Sequence, residues 1–201
     1  MRKDTDVLLA IDVQNDFCPG GGLAVPGGDE IVHLVNRLAH GFKHVVLTQD
    51  WHPAGHSSFA SSHPDKKPFT QFQMPYGAQT LWPDHCVQNT PGAAFHADLA
   101  IPHAELIVRK GFHKDIDSYS AFFENDRKTP TGLGGYLKER GFVKITLVGL
   151  AFDYCVRYSA EDAAMLDFET EVIEAACRSI DLDGSLDATR KSFAERGVVL
   201  A

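Results

Sequence analysis

Six short apolar runs divide the chain, and the segments between several of them carry helical spacing. The runs fall at 7–13 (V-L-L-A-I-D-V), 44–48 (H-V-V-L-T), 105–110 (E-L-I-V-R-K), 145–150 (I-T-L-V-G-L), 169–175 (E-T-E-V-I-E-A) and 198–200 (V-V-L). The first and fourth are nearly continuous in apolarity, which suits central strands covered on both faces, as in a parallel sheet. A helix is predicted at 29–39, where Ile31, Val32, Leu34, Val35 and Leu38 are apolar and Gly41 ends the run. Another is predicted at 131–140, stopped by Gly141, and a third after residue 155, with Val156, Ala160, Ala163 and Ala164 at helical spacing. Residues 186–196 read as the last helix, and 198–200 as a short edge strand. The alternation predicts a layered α/β fold with a mainly parallel sheet.

Two segments break the rhythm. Residues 53–103 are rich in Pro, His, Ser and Gly and show little periodicity. Loops that long are uncommon in a compact domain unless functional, so a lid or wall over a site is expected, with a short helix or turn in it. Residues 111–124 form a second irregular stretch. The glycine triplet at 20–22 lacks the G-K-[ST] ending and the G-x-G-x-x-G spacing, which sets a phosphate loop aside.

In open parallel sheets, ligands gather beyond the carboxyl ends of the strands. Asp12, Asp50, Lys110 and Cys155 each fall at such an end, on four different strands. Taken singly they read as a loop cap, a turn acid, a solvated lysine and a core thiol. On one rim they suggest an active site. The strand–turn–helix stretch 144–157 is the sharpest case. Gly149 marks a tight turn or a close approach of backbone, and Asp153 is placed as an N-cap. Cys155 follows in the first helical turn, where the positive end of the helix dipole favours a thiolate. A buried structural cysteine fits the same stretch. With Lys110 and Asp12 beside it, the thiol gains an ammonium to lower its pKa and a carboxylate to carry its proton.

Composition narrows the choices. A chain of 201 residues makes one α/β domain over 1–201 the expectation, large enough for a real core. The formal net charge of -8 argues against a nucleic-acid or anionic-membrane partner. The short N-terminal apolar run is soon broken by acid and does not make a signal peptide, and no segment approaches a membrane span. Four cysteines, at 18, 86, 155 and 177, form no C-x-x-C pair and no disulfide framework, which suggests a reducing, cytoplasmic setting. Oligomeric state stays open, a homo-oligomer among the choices.

Asp50 and His52 lie two apart in an extended segment and so point to one side. With His85 from the later W-P-D-H-C block they make a carboxylate–imidazole set suited to zinc, iron or manganese, and His56 is a candidate fourth ligand. Cys86 is read as packing. Phe17, Trp82, Tyr119 and Phe122 lie in loops after strand ends, where a flat aromatic substrate would want walls and where a core would want a seal.

The motifs D-V-Q-N-D-F-C, G-G-x-L-A-V, T-Q-D-W-H, H-x-S-F, W-P-D-H-C-V, K-G-F, Y-S-A-F and G-L-A-F-D-Y-C-V occur in order along nearly the whole chain. In these the sequence resembles the nicotinamidases of the isochorismatase-like cysteine hydrolases. The resemblance implies a three-layer α/β/α fold with a six-stranded, mostly parallel sheet. It implies a catalytic triad of Asp12, Lys110 and Cys155 and an oxyanion hole from the N–H groups of Ala151 and Cys155, with a cis peptide before Ala151. It implies one divalent metal, zinc first, on Asp50, His52 and His85, which would bind the pyridine nitrogen. His56 matches a position that ligates in some members and not in others. Phe17, Trp82, Tyr119, Leu150 and Ala151 are the implied substrate contacts, and nicotinamide the implied substrate, with pyrazinamide as a second. Another amide or carbamoyl hydrolase of the superfamily, or an isochorismatase, is the alternative.

Overall fold

The structure, a computed structural model, describes residues 2–201. In chain order the main elements are β1 (Asp6–Ile11), α1 (Val32–Ala39), β2 (His44–Asp50), β3 (Gln71–Met74), β4 (Gly77–Thr80), β5 (Leu106–Lys110), α2 (Leu133–Glu139), β6 (Lys144–Leu150), α3 (Arg157–Met165), β7 (Glu169–Arg178), α4 (Ser185–Arg196) and β8 (Val199–Leu200). Six strands form one sheet in the order β5-β2-β1-β6-β7-β8, and every pairing in it is parallel. The expectation of a six-stranded sheet with 198–200 at an edge holds.

The pleat sorts the two cores. In β1, Val7, Leu9 and Ile11 join a cluster on one face with Leu133 and Leu137 of α2, Ala160 and Ala163 of α3 and Phe193 of α4. Leu8 and Ala10 face the other way and pack with Val32, Val35 and Ala39 of α1. One helix therefore covers one face and three cover the other, which makes three layers. Among the described residues no helix is long and apolar enough to cross a membrane.

The differences from the sequence reading have local causes. Helix 29–39 begins as a 3-10 turn, Gly28–Ile31, before α1. Strand β2 runs on to Asp50 and β7 to Arg178, both past the predicted ends. Segment 53–103 is not structureless. It holds a 3-10 turn, Ala60–Ser62, and the antiparallel β3–β4 hairpin. The hairpin lacks the Asn-Gly type of turn signal, the exposed positions of β3 are Gln and the Gln of β4 is buried, so no pattern announced it. Met74 and Leu81 pack with Ala60 to anchor it.

Gly149 serves a close approach, as expected. It adopts φ +122, and a Cβ there would collide with the Ile11 carbonyl oxygen of β1. Asp153 does not cap the next helix. Its carboxylate instead accepts from Ile180 N at 3.0 Å, Asp181 N at 2.7 Å and Ser185 Oγ at 2.5 Å. It ties the loop after β7 to a π-helical turn, Phe152–Val156, that precedes α3.

Candidate active site

The carboxyl ends of β1, β2, β5 and β6 share one rim, and the polar groups expected there meet. Asp12 directly follows β1 at φ +47. The Thr48 hydroxyl of β2 accepts from Asp12 N at 3.1 Å and donates to Asp12 Oδ1, which fixes the carboxylate. Asp50 and Lys110 end β2 and β5 and are register partners. The Lys110 ammonium, 1% exposed, reaches Asp12 Oδ2 at 2.8 Å, Asp50 Oδ1 at 2.9 Å, the Ser118 carbonyl at 2.9 Å and Cys155 Sγ at 3.4 Å. Apart from that ion pair Asp12 Oδ2 has no hydrogen-bond partner.

Charge explains the protonation states. Burial alone would lower the Lys110 pKa, but Asp12 and Asp50 outweigh it and hold the ammonium firmly charged. Burial pushes Asp12 up against the pull of Lys110, with Asp50 adding to the rise. Burial would also raise Asp50, yet it is held well below the usual range by His52 and Lys110. The Cys155 thiol is pushed well above its ordinary value by burial, and Lys110 offsets only part of that. The thiol sits in a π-helical turn, 6% exposed, so its burial works against the thiolate that a helix terminus would favour. Burial raises the other three thiols as well, Cys18 to about 11 and Cys177 to about 12. Among the described residues Cys155 is the cysteine with an ammonium in hydrogen-bond reach.

A small pocket opens over Cys155. Phe17, Trp82, Tyr119 and Tyr154 give it aromatic walls, with Leu23 and Ile180 beside them. Ala151, Asp50, His85 and Asp117 also line it. The Leu150–Ala151 peptide is cis. The Ala151 carbonyl accepts from Tyr154 N and Val156 N, both at 3.1 Å, closing the turn that carries Cys155. One implied substrate contact, Leu150, does not line the pocket, and Phe122 takes the core-seal reading of its two. Leu150 is fully buried in the core on the α1 face, and Phe122 packs in the opposite core near Phe168. Each obeys the pleat or the core rather than the pocket.

Asp50, His52 and His85 bring one ligand atom each to within 4.8 Å of one another. His52 Nε2 lies 3.0 Å and His85 Nε2 3.4 Å from Asp50 Oδ2. Their other ring nitrogens donate to carbonyls, His52 Nδ1 to Gly111 at 2.9 Å and His85 Nδ1 to Pro83 at 2.8 Å. That turns Nε2 of each ring toward the carboxylate, the nitrogen a metal-binding histidine presents once the proton shared with Asp50 gives way to an ion. The donor set fits a divalent ion. His56 falls in a second donor group, with His52 and Asp117, whose ligand atoms also lie within 4.8 Å of one another. In this structure its Nε2 lies 2.9 Å from the His113 carbonyl and its Nδ1 2.8 Å from Ser58 Oγ.

The model of the isochorismatase domain matches residues 6–201. The chain belongs to the isochorismatase family. Within it, the chain is 52% identical over 191 residues to a nicotinamidase of Acinetobacter baylyi, covering 95% of this chain and 89% of that one. A nicotinamidase/pyrazinamidase structure from Acinetobacter baumanii superposes with a TM-score of 0.98 at 53% identity, over 100% of this chain and 97% of the other. A pyrazinamidase of Pyrococcus horikoshii in complex with zinc matches with a TM-score of 0.79 at 33% identity, over 98% of each chain.

Leu23, Asp117, Tyr154 and Ile180 complete this isochorismatase-family cavity without having stood out in the sequence. Tyr154 could have been found as the neighbour of Cys155. Asp117 and Ile180 sit in irregular segments, where no periodicity points to a face.

Proposed function

We propose that this protein hydrolyses nicotinamide to nicotinate and ammonia through a thioester on Cys155. The observation that supports it is the meeting of Asp12, Lys110 and Cys155 beside an aromatic-walled cavity that Asp50 and His85 also line.

Asp12 Oδ2 takes the thiol proton as Sγ bonds to the amide carbon, and the carbonyl electron pair moves onto oxygen. The N–H groups of Ala151 and Cys155 receive that oxyanion. On collapse the C–N bond breaks, the proton passes from Asp12 to the amine, and ammonia leaves. Water then adds to the thioester, giving a proton to Asp12, and the C–S bond breaks to release nicotinate and restore the thiol. Lys110 balances the charge that appears on sulfur and holds Asp12 in place. A divalent ion held by Asp50, His52 and His85, zinc first and iron or manganese next, would bind the pyridine nitrogen and orient the ring. Phe17 and Trp82 supply flat walls for that ring. Pyrazinamide carries the same carboxamide and ring nitrogen and is a second substrate in this reading. The reaction belongs to salvage of nicotinamide for NAD synthesis, and four free thiols suit a reducing cytoplasm.

Ammonia release from nicotinamide by the metal-loaded protein, before and after thiol alkylation, is the test. Release that alkylation abolishes is the expected result. A folded, metal-loaded protein that releases none would overturn the substrate and favour another amide.

A further inference from the structure

One buried amide outside the cavity holds several of its walls. Gln79 of β4 is 1% exposed and does not line the pocket. Its Nε2 lies 2.7 Å from Asp117 Oδ2, 2.8 Å from Tyr119 Oη and 2.8 Å from the Thr80 carbonyl, so two hydrogens serve three acceptors. Its Oε1 accepts from Asn125 Nδ2 at 3.0 Å and Tyr76 Oη at 3.2 Å. The amide orientation is therefore set by chemistry. Turned over, Oε1 would face the Asp117 carboxylate and Nε2 would face the Asn125 amide hydrogens. Tyr119 Oη also accepts from Trp82 Nε1 at 3.1 Å. The chain from Gln79 through Tyr119 to Trp82 thus fixes two ring planes, and the bond to Asp117 fixes a carboxylate beside them.

We propose that Gln79 is the positioning residue for the aromatic wall that receives a flat heteroaromatic carboxamide, so that the β3–β4 hairpin sets substrate affinity without touching substrate. The proposal rests on the hydrolysis reading for its substrate but not for its geometry. Gln79→Met keeps the size and removes every hydrogen bond. In the metal-loaded protein this variant raises KM for nicotinamide about tenfold while kcat stays within about threefold, since ring placement and not the thiol chemistry is lost. A merely structural role would lower the thermal midpoint and the active fraction and leave KM alone. In a Trp51→Phe background, which leaves Trp82 as the sole indole, the variant shifts emission to the red and increases acrylamide quenching, because Tyr119 no longer pins the ring. Unchanged emission, or shifted emission with unchanged KM, overturns the proposal. A parent protein inactive on nicotinamide overturns the reaction and leaves the emission reading to judge Gln79. Should Q79M fail to fold, Gln79→Glu keeps the acceptor toward Asn125 and Tyr76, and the same two readings decide.

Discussion

Lys110 donates to Asp50 at 2.9 Å from the directly opposite position of the neighbouring strand. Because the same ammonium also pairs with Asp12 at 2.8 Å and touches Cys155, one positive charge joins the thiol and the metal-donor set. Lys110 and His52 share the charge of the two buried carboxylates, Asp12 and Asp50.

Replacing Lys110 with Met strands Asp12 without its ion-pair partner and leaves Asp50 to His52 and His85. Loss of one partner from a buried ion pair costs about 3–5 kcal/mol, so urea unfolding of Lys110→Met should show a loss of that order at neutral pH. Amidase activity should vanish with it. A stability change below about 1 kcal/mol would mean that the carboxylates share a proton or a counter-ion of their own.

The burial that lifts the Cys155 thiol predicts a pH dependence. A raised pKa leaves little thiolate at neutral pH, and the fraction grows as pH rises. Alkylation of Cys155 by iodoacetamide, followed by mass spectrometry, should therefore quicken by about tenfold per pH unit between pH 6 and 8. A plateau already present at pH 6 would place the helix dipole and Lys110 ahead of desolvation.

His85 and His56 should part company when each becomes Ala. His85→Ala removes a ligand atom aimed at Asp50, and bound metal measured by plasma emission should fall at least about tenfold at limiting zinc. His56→Ala should keep the metal and lose stability instead, because it breaks bonds to Ser58 and to the carbonyls of His113 and Ile116. Loss of metal in the His56 variant would show that its ring turns when an ion binds.

Gly149→Ala should be among the most damaging single-methyl additions. The new Cβ would meet the Ile11 backbone of the adjacent central strand, which has no room to retreat, and φ +122 disfavours any side chain. A loss above about 4 kcal/mol, or failure to accumulate as soluble protein, is expected.

The sheet was legible because its central strands are nearly continuous apolar runs, and a strand end carries its polar residue to the rim whatever the loops do. That is why Asp12, Asp50, Lys110 and Cys155 could be placed together before any geometry was known. The metal donors were legible for a related reason, since Asp50 and His52 share a side of one extended segment. The surroundings of His56 needed structure, because its Nε2 partners, the His113 and Ile116 carbonyls, come from a loop about sixty residues away while Ser58 meets Nδ1 locally. The β3–β4 hairpin, and Gln79 within it, left no pattern, as a buried glutamine on a short strand reads like an exposed one. Leu150 and Phe122 were drawn toward the pocket by their motifs, but the pleat and the helix-side core took them. The state of Cys155 turned on burial, which neighbours in sequence do not reveal.

Strand β5 lies at the edge of the sheet and is held by a neighbour on one side only. Lys110 is its last residue. The chemistry therefore leans on an edge strand of the main sheet, and an edge opens at lower cost than the centre. On warming, turnover should fade before the circular-dichroism signal of the sheet does, which makes catalysis the more sensitive thermometer of this fold. Substitutions that fasten β5 to β2 would then protect working life more than substitutions that fill the core.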